Sequence, residues 1–245
     1  MAADAAPRLS VVIPCYNEEQ RLPQTVERIE RFLGARPESY ELILVDDGSA
    51  DGTRKLMDAA AARHRSVRIV PMPRNRGKGR ALAEGVKVSR GDNVLVTDAD
   101  LSTPIEELDK LQAALAAGAG VAIASRAIKG SHIELAQPLY RVAMGKVFNL
   151  IVQVALLPGI WDTQCGFKLF RGDVAREVFP RLTTDGFGYD PEALYLAKKK
   201  GVRIAEVPVS WRNSAPTKVM AFRSSLDMFR HVVRVRFAKP SPTAR

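Results

Sequence analysis

The sequence has few of the residues that stabilise small extracellular domains or bind zinc. Among its 245 residues there are two cysteines and three histidines. Two cysteines cannot form a disulfide framework, so a reducing compartment is expected and stability has to come from a hydrophobic core. The histidines lack zinc-ligand spacing, which argues against the common zinc-binding classes. They are His64, His132 and His231.

Long apolar runs are also lacking. No run reaches the roughly 20 residues that a membrane-spanning helix needs. The first residues have neither the charged nor the apolar region of a signal peptide. Internal repeats and low-complexity linkers are missing as well. One large α/β domain with a substantial core is therefore expected, in the cytoplasm.

Positive charge, in contrast, is in excess. The chain has 37 Lys and Arg against 27 Asp and Glu, a net charge of +10. Such a balance requires an anionic partner, either nucleic acid, anionic lipid or a phosphorylated substrate. Because the sequence has no nucleic-acid recognition signature, such as an RRM aromatic pair, nucleic acid is not the expected partner.

Apolar runs alternate with amphipathic segments over the first 125 or so residues, which is the pattern of βαβ units. A long, mostly apolar segment follows, then a helix from Pro191 and a short strand. Ligands of such sheets bind beyond the carboxyl ends of the strands, so the polar residues there are the first candidates for a site. The predicted strands cover residues 9–13, 42–45, 67–70, 94–97, 121–124 and 203–207.

Four of these strands end in polar segments: PCYNEE (14–19), DDGS (46–49), RNRGKG (74–79) and DAD (98–100). Each also has a purely structural interpretation. The aspartates of DDGS suit turns and helix N-caps, and the glycines of RNRGKG suit a helix entry. RNRGKG lacks the spacing of a Walker phosphate-binding loop.

Asp98 and Asp100 give the most specific of these signals. Residues two apart on an extended chain point the same way, so the two carboxylates are expected to be neighbours. Neighbouring carboxylates repel each other unless a cation lies beside them. Hard oxygen ligands suit Mg²⁺ or Mn²⁺, completed by substrate phosphates. The alternative is a solvated loop in which one aspartate caps the next helix.

Taken together, the motifs resemble a known family. LSVVIPCYNE (9–18), VDDGSADGT (45–53), RNRGKG (74–79) and TDADLSTP (97–104) occur in the order seen in family 2 glycosyltransferases. DTQCGFKLF (162–170) resembles the dolichyl-phosphate glucosyltransferase branch in particular. The resemblance covers roughly residues 8–236.

The resemblance implies an α/β fold of the GT-A type, with a mostly parallel central sheet flanked by helices. It implies one domain over residues 8–237. Within it we expect a nucleotide-sugar-binding half (8–100), an acceptor half (101–215) and a basic amphipathic helix (216–237).

Roles for particular residues follow from the resemblance. Asp98 and Asp100, with Ala99 between them, would hold Mg²⁺ or Mn²⁺ on the diphosphate of the nucleotide sugar. One of Asp46 and Asp47 would contact the base, since adjacent strand residues face opposite ways, and Asp47 is favoured. The other implied nucleotide-sugar contacts are Pro14, Tyr16, Glu18, Arg76 and Lys78.

The lipid-phosphate branch implies a phosphate acceptor. A phosphate monoester, with a second pKa of about 6, is mostly ionised at neutral pH and needs no general base. Arginines would hold it: Arg126 and Arg141 match basic positions of this branch, and Arg212 is a third candidate. The alternative for each is a surface ion pair. Asp190 matches an acidic base of many family members but also suits an N-cap before Pro191.

These implications predict an inverting, metal-dependent hexosyltransferase that moves glucose from UDP-glucose to a polyprenyl or dolichyl phosphate. One alternative is a GDP-mannose-dependent polyprenyl-phosphate mannosyltransferase. Another is a family 2 enzyme with a soluble or polysaccharide acceptor.

Two segments predict a peripheral position on the cytoplasmic face of a membrane. Residues 147–161 carry no charge. Near the C-terminus, an apolar helical stripe from Val219 to Val233 runs beside Arg223, Arg230 and Arg234, the pattern of an interfacial helix on anionic lipid. The alternative is that both segments pack on the core.

Overall fold

Seven strands form one central sheet, and two more form a small separate one. In this computed structural model the described residues are 6–135, 139–212, 232 and 234–236, without the side chains of 135, 139–144 and 146. The strands are β1 (Leu9–Cys15), β2 (Tyr40–Asp46), β3 (Val67–Pro71), β4 (Asn93–Thr97), β5 (Val121–Ser125), β6 (His132–Leu135), β7 (Phe167–Arg171), β8 (Ile204–Pro208) and β9 (Ser210–Arg212).

Helices cover both faces of the central sheet. They are α1 (Leu22–Gly34), α2 (Thr53–Arg63), α3 (Lys78–Lys87), α4 (Leu108–Ala116), α5 (Leu139–Ala155), α6 (Gly172–Val178) and α7 (Tyr189–Lys199). Alternate residues of β1 enter different apolar layers. Val11 and Ile13 pack on the side of α1, α2 and α4, whereas Val12 packs on the side of α3, α5, α6 and α7. This two-sided burial explains why β1 has an unbroken apolar run instead of an alternating pattern.

The central sheet has the strand order β3-β2-β1-β4-β7-β5-β8. All its neighbours pair in parallel except β7, which runs antiparallel to both β4 and β5. The mostly parallel sheet of the GT-A prediction is thus confirmed, whereas β7 was not among the predicted strands. Because β7 is reversed, it begins where β4 and β5 end, and the residues just before it lie at the carboxyl edge of the sheet.

Among the described residues, no helix has both the length and the apolar composition needed to cross a bilayer. The predicted basic helix, 216–237, lies outside the described residues except for 232 and 234–236, which are helical. Val232 and Val235 are buried in the layer that contains α3 and α7. Arg234 and Arg236 are exposed.

Candidate functional site

The segments after β1 and β2 form one hydrogen-bonded unit at the carboxyl edge of the sheet. The backbone N–H of Asn17 donates to Ser49 Oγ at 3.1 Å, and that of Glu18 donates to Thr53 Oγ1 at 2.7 Å. Asn17 adopts φ 55°, a left-handed conformation that asparagine tolerates. These bonds place Pro14, half-exposed Tyr16 and Glu18 beside the second polar segment.

Asp47 anchors the RNRGKG segment. Its Oδ1 accepts the Arg76 backbone N–H at 2.7 Å, and its Oδ2 accepts that of Gly77 at 2.9 Å. Burial raises its pKa, and these hydrogen bonds only partly offset that. Both oxygens of Asp47 are thus committed to backbone, which argues against the preference for this residue as the base contact. Asp46 is also buried and accepts the Ser49 N–H at 3.0 Å through Oδ1.

Asp98 and Asp100 lie in a turn, not on an extended strand. β4 ends at Thr97, and the Leu101 N–H donates to the Asp98 carbonyl at 3.3 Å with Leu101 at φ 45°. Asp100 Oδ1 accepts the Ser102 N–H at 3.0 Å. The expectation that Asp98 and Asp100 lie on an extended chain was therefore wrong. Burial raises the pKa of Asp98; the Lys78 charge opposes this, the Asp100 charge adds to it, and the net shift is upward.

The Asp98–Asp100 turn meets a cation from α3. The ammonium group of Lys78, the first residue of that helix, forms an ion pair with Asp98. Burial lowers the Lys78 pKa, but the Asp98 charge and then the Asp190 charge outweigh it and leave the pKa raised. Lys78 Nζ also lies 5.6 Å from the Tyr189 ring centroid.

The residues of this turn fit a divalent metal that a substrate helps to bind. Within the described part of the chain, no cluster of three or more His, Cys, Asp and Glu side chains could enclose a metal by itself. Two carboxylates from one turn are the ligand set that Mg²⁺ or Mn²⁺ uses when substrate phosphates complete its coordination.

Arg126 lies just beyond β5 and is held by Asp162. Its Nε donates to Asp162 Oδ2 at 2.7 Å and its Nη2 donates to Oδ1 at 2.9 Å, a bidentate pair. The guanidinium also lies 5.2 Å from the Trp211 ring centroid. Burial raises the pKa of Asp162, but Arg126 lowers it more, so the pair stays charged. Arg126 is thus a largely buried, oriented group, and the surface-pair alternative does not apply to it.

The segment from Asp162 to Gly166 joins Arg126 to the Asp98–Asp100 turn. Glu206 on β8 accepts the backbone N–H groups of Trp161 at 2.7 Å and Asp162 at 3.0 Å, which holds the segment in place. At its other end Gly166 lies against Asp98. A Cβ at Gly166 would lie 2.7 Å from Cγ of Asp98 and closer still to Oδ2. Only glycine therefore leaves room for the Asp98 carboxylate in its present position.

Asp190 is buried in the first turn of α7 and is paired with Lys168 of β7. The helix begins at Tyr189 with Gly188 as N-cap, and no side chain caps it. The N-cap alternative for Asp190 is therefore wrong, because the carboxylate turns into the sheet toward Lys168. An acid–base role for Asp190 stays a prediction.

The other predicted residues are placed as follows. Arg76 Nη2 pairs with Asp185 at 2.9 Å, which ties RNRGKG to the segment before α7. Arg212 is exposed, and its backbone N–H donates to Ser102 O at 2.8 Å, next to the Asp98–Asp100 turn. Arg141 lies on α5, but its side chain is outside the described residues.

Sequence reasoning missed three residues that shape this site: Asp162, Gly166 and Lys168. All three belong to DTQCGFKLF, which was used only to identify a branch of the family. The signal that could have identified them is a lysine within a short apolar run, FKLF (167–170), that begins directly after a Cys-Gly pair.

Comparisons with known proteins agree with this geometry. The family model described as Glycosyl transferase family 2 matches residues 10–179. The chain is 36% identical over 241 residues to dolichyl-phosphate beta-glucosyltransferase of Dictyostelium discoideum, covering 94% of this chain and 74% of that one. The human protein of the same name is 36% identical over 246 residues, covering 94% and 75%.

A solved structure has the same fold. It is glucosyl-3-phosphoglycerate synthase from Mycobacterium tuberculosis in complex with Mn²⁺ and UDP-glucose. It has a TM-score of 0.71 and 21% identity, and the match covers 97% of this chain and 81% of that one. At this identity the likeness concerns the fold alone, and that fold is GT-A. Because the family model spans most of the sheet and the relatives match along nearly the whole chain, this chain belongs to the family 2 glycosyltransferases.

Proposed function

We propose that this chain transfers glucose from UDP-glucose to a polyprenyl phosphate, with inversion and with the help of Mg²⁺ or Mn²⁺. One observation carries the proposal: the short segment 162–166 before β7 contacts Arg126 at one end, through Asp162, and Asp98 at the other, through Gly166. A site for a diphosphate donor thus lies next to a cation suited to a second phosphate. The names of the relatives, dolichyl-phosphate beta-glucosyltransferase, support the choice of both substrates.

On the donor side, Asp98 and Asp100 would hold the metal against the diphosphate. A bound divalent ion supplies Lewis-acid stabilisation of the departing nucleotide. Lys78 lies close enough to contribute a positive charge to the same leaving group. Pro14, Tyr16 and Glu18 would line the base and ribose pocket. We now assign the base contact to Asp46, because both oxygens of Asp47 serve the backbone of 76–77.

On the acceptor side, Arg126 would bind the phosphate. Its pair with Asp162 uses two of the five N–H donors of a guanidinium and leaves its plane oriented. Arg141 and Arg212 are the further candidates. An ionised phosphate oxygen attacks without losing a proton, so the site needs an oriented cation more than it needs a base.

A transfer assay tests this function directly. Radiolabelled UDP-glucose, GDP-mannose and other nucleotide sugars are offered with one short polyprenyl phosphate, and the organic phase is counted. We expect label in lipid from UDP-glucose and little from the other donors. Label from GDP-mannose alone would assign the mannosyl alternative. Transfer only to a soluble sugar or polysaccharide would contradict the lipid acceptor.

We predict that UDP binds at least about tenfold more tightly than GDP, a difference of about 1.4 kcal/mol. A uracil needs only a small pocket, such as one built by Pro14, Tyr16 and Asp46, whereas guanine is larger. Titration calorimetry with Mn²⁺ and each nucleotide measures both constants. GDP binding tighter than UDP would contradict the donor assignment.

We also propose that the enzyme works on a membrane surface, with α5 as one contact. Val147, Leu150 and Val154 recur on one face of this helix and are 60%, 61% and 79% exposed. Trp161, just beyond the helix, is 55% exposed. A basic residue lies near the end of this helix, since Lys198 Nζ donates to the carbonyl of Pro158 at 3.3 Å. An exposed apolar stripe with a basic residue near it is compatible with a surface that binds anionic lipid.

Changing Val147, Leu150 and Val154 together to Ser should reduce binding to anionic liposomes by at least about tenfold, since each apolar side chain contributes about 1 kcal/mol when partly buried in lipid. Co-sedimentation with and without anionic lipid measures this. Ile133→Ser, at a different exposed apolar position, is the control. Changing Arg223, Arg230 and Arg234 to Gln tests the predicted C-terminal helix in the same assay. Equal pelleting of all variants and wild type would contradict both contacts.

A further inference from the structure

Lys168 is a buried lysine to which the reaction described above assigns no role. It is 1% exposed and lies on β7 opposite Val96 of β4 and Ile123 of β5. Those two strands lead directly to Asp98 and to Arg126. Lys168 therefore lies between the strand that delivers the Asp98–Asp100 turn and the strand that delivers the acceptor arginine.

The direct contacts of the Lys168 ammonium group are with a carboxylate and a backbone carbonyl. Its Nζ forms an ion pair with Asp190 and donates to the Cys165 carbonyl at 2.6 Å. Removing two charges from water costs free energy that their attraction often fails to recover, and an apolar pair of similar volume is frequently at least as stable. The contribution of the Lys168–Asp190 pair to stability therefore does not explain why two charged residues are buried here.

Asp190 lies among the groups of both half-sites. On the donor side, the ring centroid of Tyr189, the preceding residue, lies 5.6 Å from Lys78 Nζ. The Lys168 ammonium group that pairs with Asp190 also donates to the Cys165 carbonyl, in the segment that contacts Arg126 at one end and Asp98 at the other. A carboxylate there without a counter-charge would repel an incoming phosphate and compete for Arg126.

We propose that Lys168 is a positioning residue for transfer: it neutralises and orients the Asp190 carboxylate so that an anionic acceptor can lie between the Asp98–Asp100 turn and Arg126. This inference rests on the proposed function, because a neutral hydroxyl acceptor would not be repelled. It also makes Asp190 a paired counter-ion and not a general base.

The test compares Lys168→Met, which leaves the carboxylate uncompensated, with the double variant Lys168→Gln/Asp190→Asn, which removes both charges. Exposed Lys87→Met is the matched control. For each protein, KM for polyprenyl phosphate, KM for the donor and kcat are measured. Hydrolysis of the donor without acceptor is measured as well, since it reports on the donor half alone.

We expect Lys168→Met to raise the acceptor KM at least about tenfold through like-charge repulsion, and to raise the donor KM by a smaller factor, because Lys78 supplies a positive charge on the donor side. The double variant should return the acceptor KM to within about threefold of wild type and keep kcat within about tenfold. If Lys168→Met does not fold, the double variant decides alone: an acceptor KM near that of wild type supports the inference, and one raised tenfold or more overturns it.

Two other results would overturn the inference. One is an unchanged acceptor KM in folded Lys168→Met. The other is a double variant whose kcat falls about a thousandfold at a normal acceptor KM, which is the signature of a lost general base. Failure of the proposed function is distinguishable, because the wild type itself would then transfer nothing to polyprenyl phosphate.

Discussion

Asp100→Asn should lower kcat/KM for transfer by about a thousandfold or more, equivalent to roughly 4 kcal/mol of lost leaving-group stabilisation. The change removes a charged ligand from the proposed metal site. It should leave the turn intact, because the asparagine carbonyl can still accept the Ser102 N–H that Asp100 Oδ1 accepts at 3.0 Å. Activity is measured by label transfer, and folding by thermal unfolding.

Two controls separate metal binding from general damage. Asp58→Asn, at an exposed position of α2, removes the same charge far from the Asp98–Asp100 turn and should leave activity unchanged. Mn²⁺ binding in the presence of UDP, followed by electron paramagnetic resonance, should weaken in Asp100→Asn alone. Equal activity of the wild type in EDTA and in Mg²⁺ would contradict a metal role for this turn.

Gly166→Ala should lower kcat/KM by about a hundredfold, because displacing a catalytic group by about 1 Å costs on that order. A Cβ at this position would lie 2.7 Å from Cγ of Asp98, so the carboxylate has to move. Overpacking of this kind also costs about 1–3 kcal/mol of stability. Gly145→Ala is the matched control, since a Cβ there meets nothing within 4 Å.

A double-mutant cycle isolates the contact without relying on activity. In an Asp98→Ala background the carboxylate that the new Cβ would strike is gone, so Gly166→Ala should no longer destabilise the protein. The free energy of unfolding of the four proteins gives the coupling. An equal cost of Gly166→Ala in both backgrounds would show that the glycine serves another purpose.

The residue pattern was enough to predict most of the sheet. β1, β2 and β5 each contain an apolar run buried on both faces, and each lies within two residues of a predicted strand. The predicted strand 94–97 agrees with β4 (Asn93–Thr97) to within one residue. Such elements depend on periodicity and turn residues, which act over short distances along the chain.

β7 was missed because its residues give no local sign of direction. Phe167–Arg171 is a five-residue run that carries a lysine, and an apolar run of that length identifies neither its neighbours nor its polarity. Insertion between β4 and β5 depends on partners more than 40 residues away in the sequence.

The candidate site also has features that the sequence predicts and features that depend on distant partners. The sequence by itself identified the candidate residues, because Asp98, Asp100 and Arg126 follow strands whose carboxyl ends meet at one edge. Only the tertiary structure decided their partners: Lys78 pairs with Asp98, Asp162 orients Arg126, and Lys168 holds Asp190. These pairings join residues from 20 to 36 positions apart. A motif consists of neighbouring residues and can be recognised in the sequence, whereas the pairing of charges depends on which strands the folded sheet brings together.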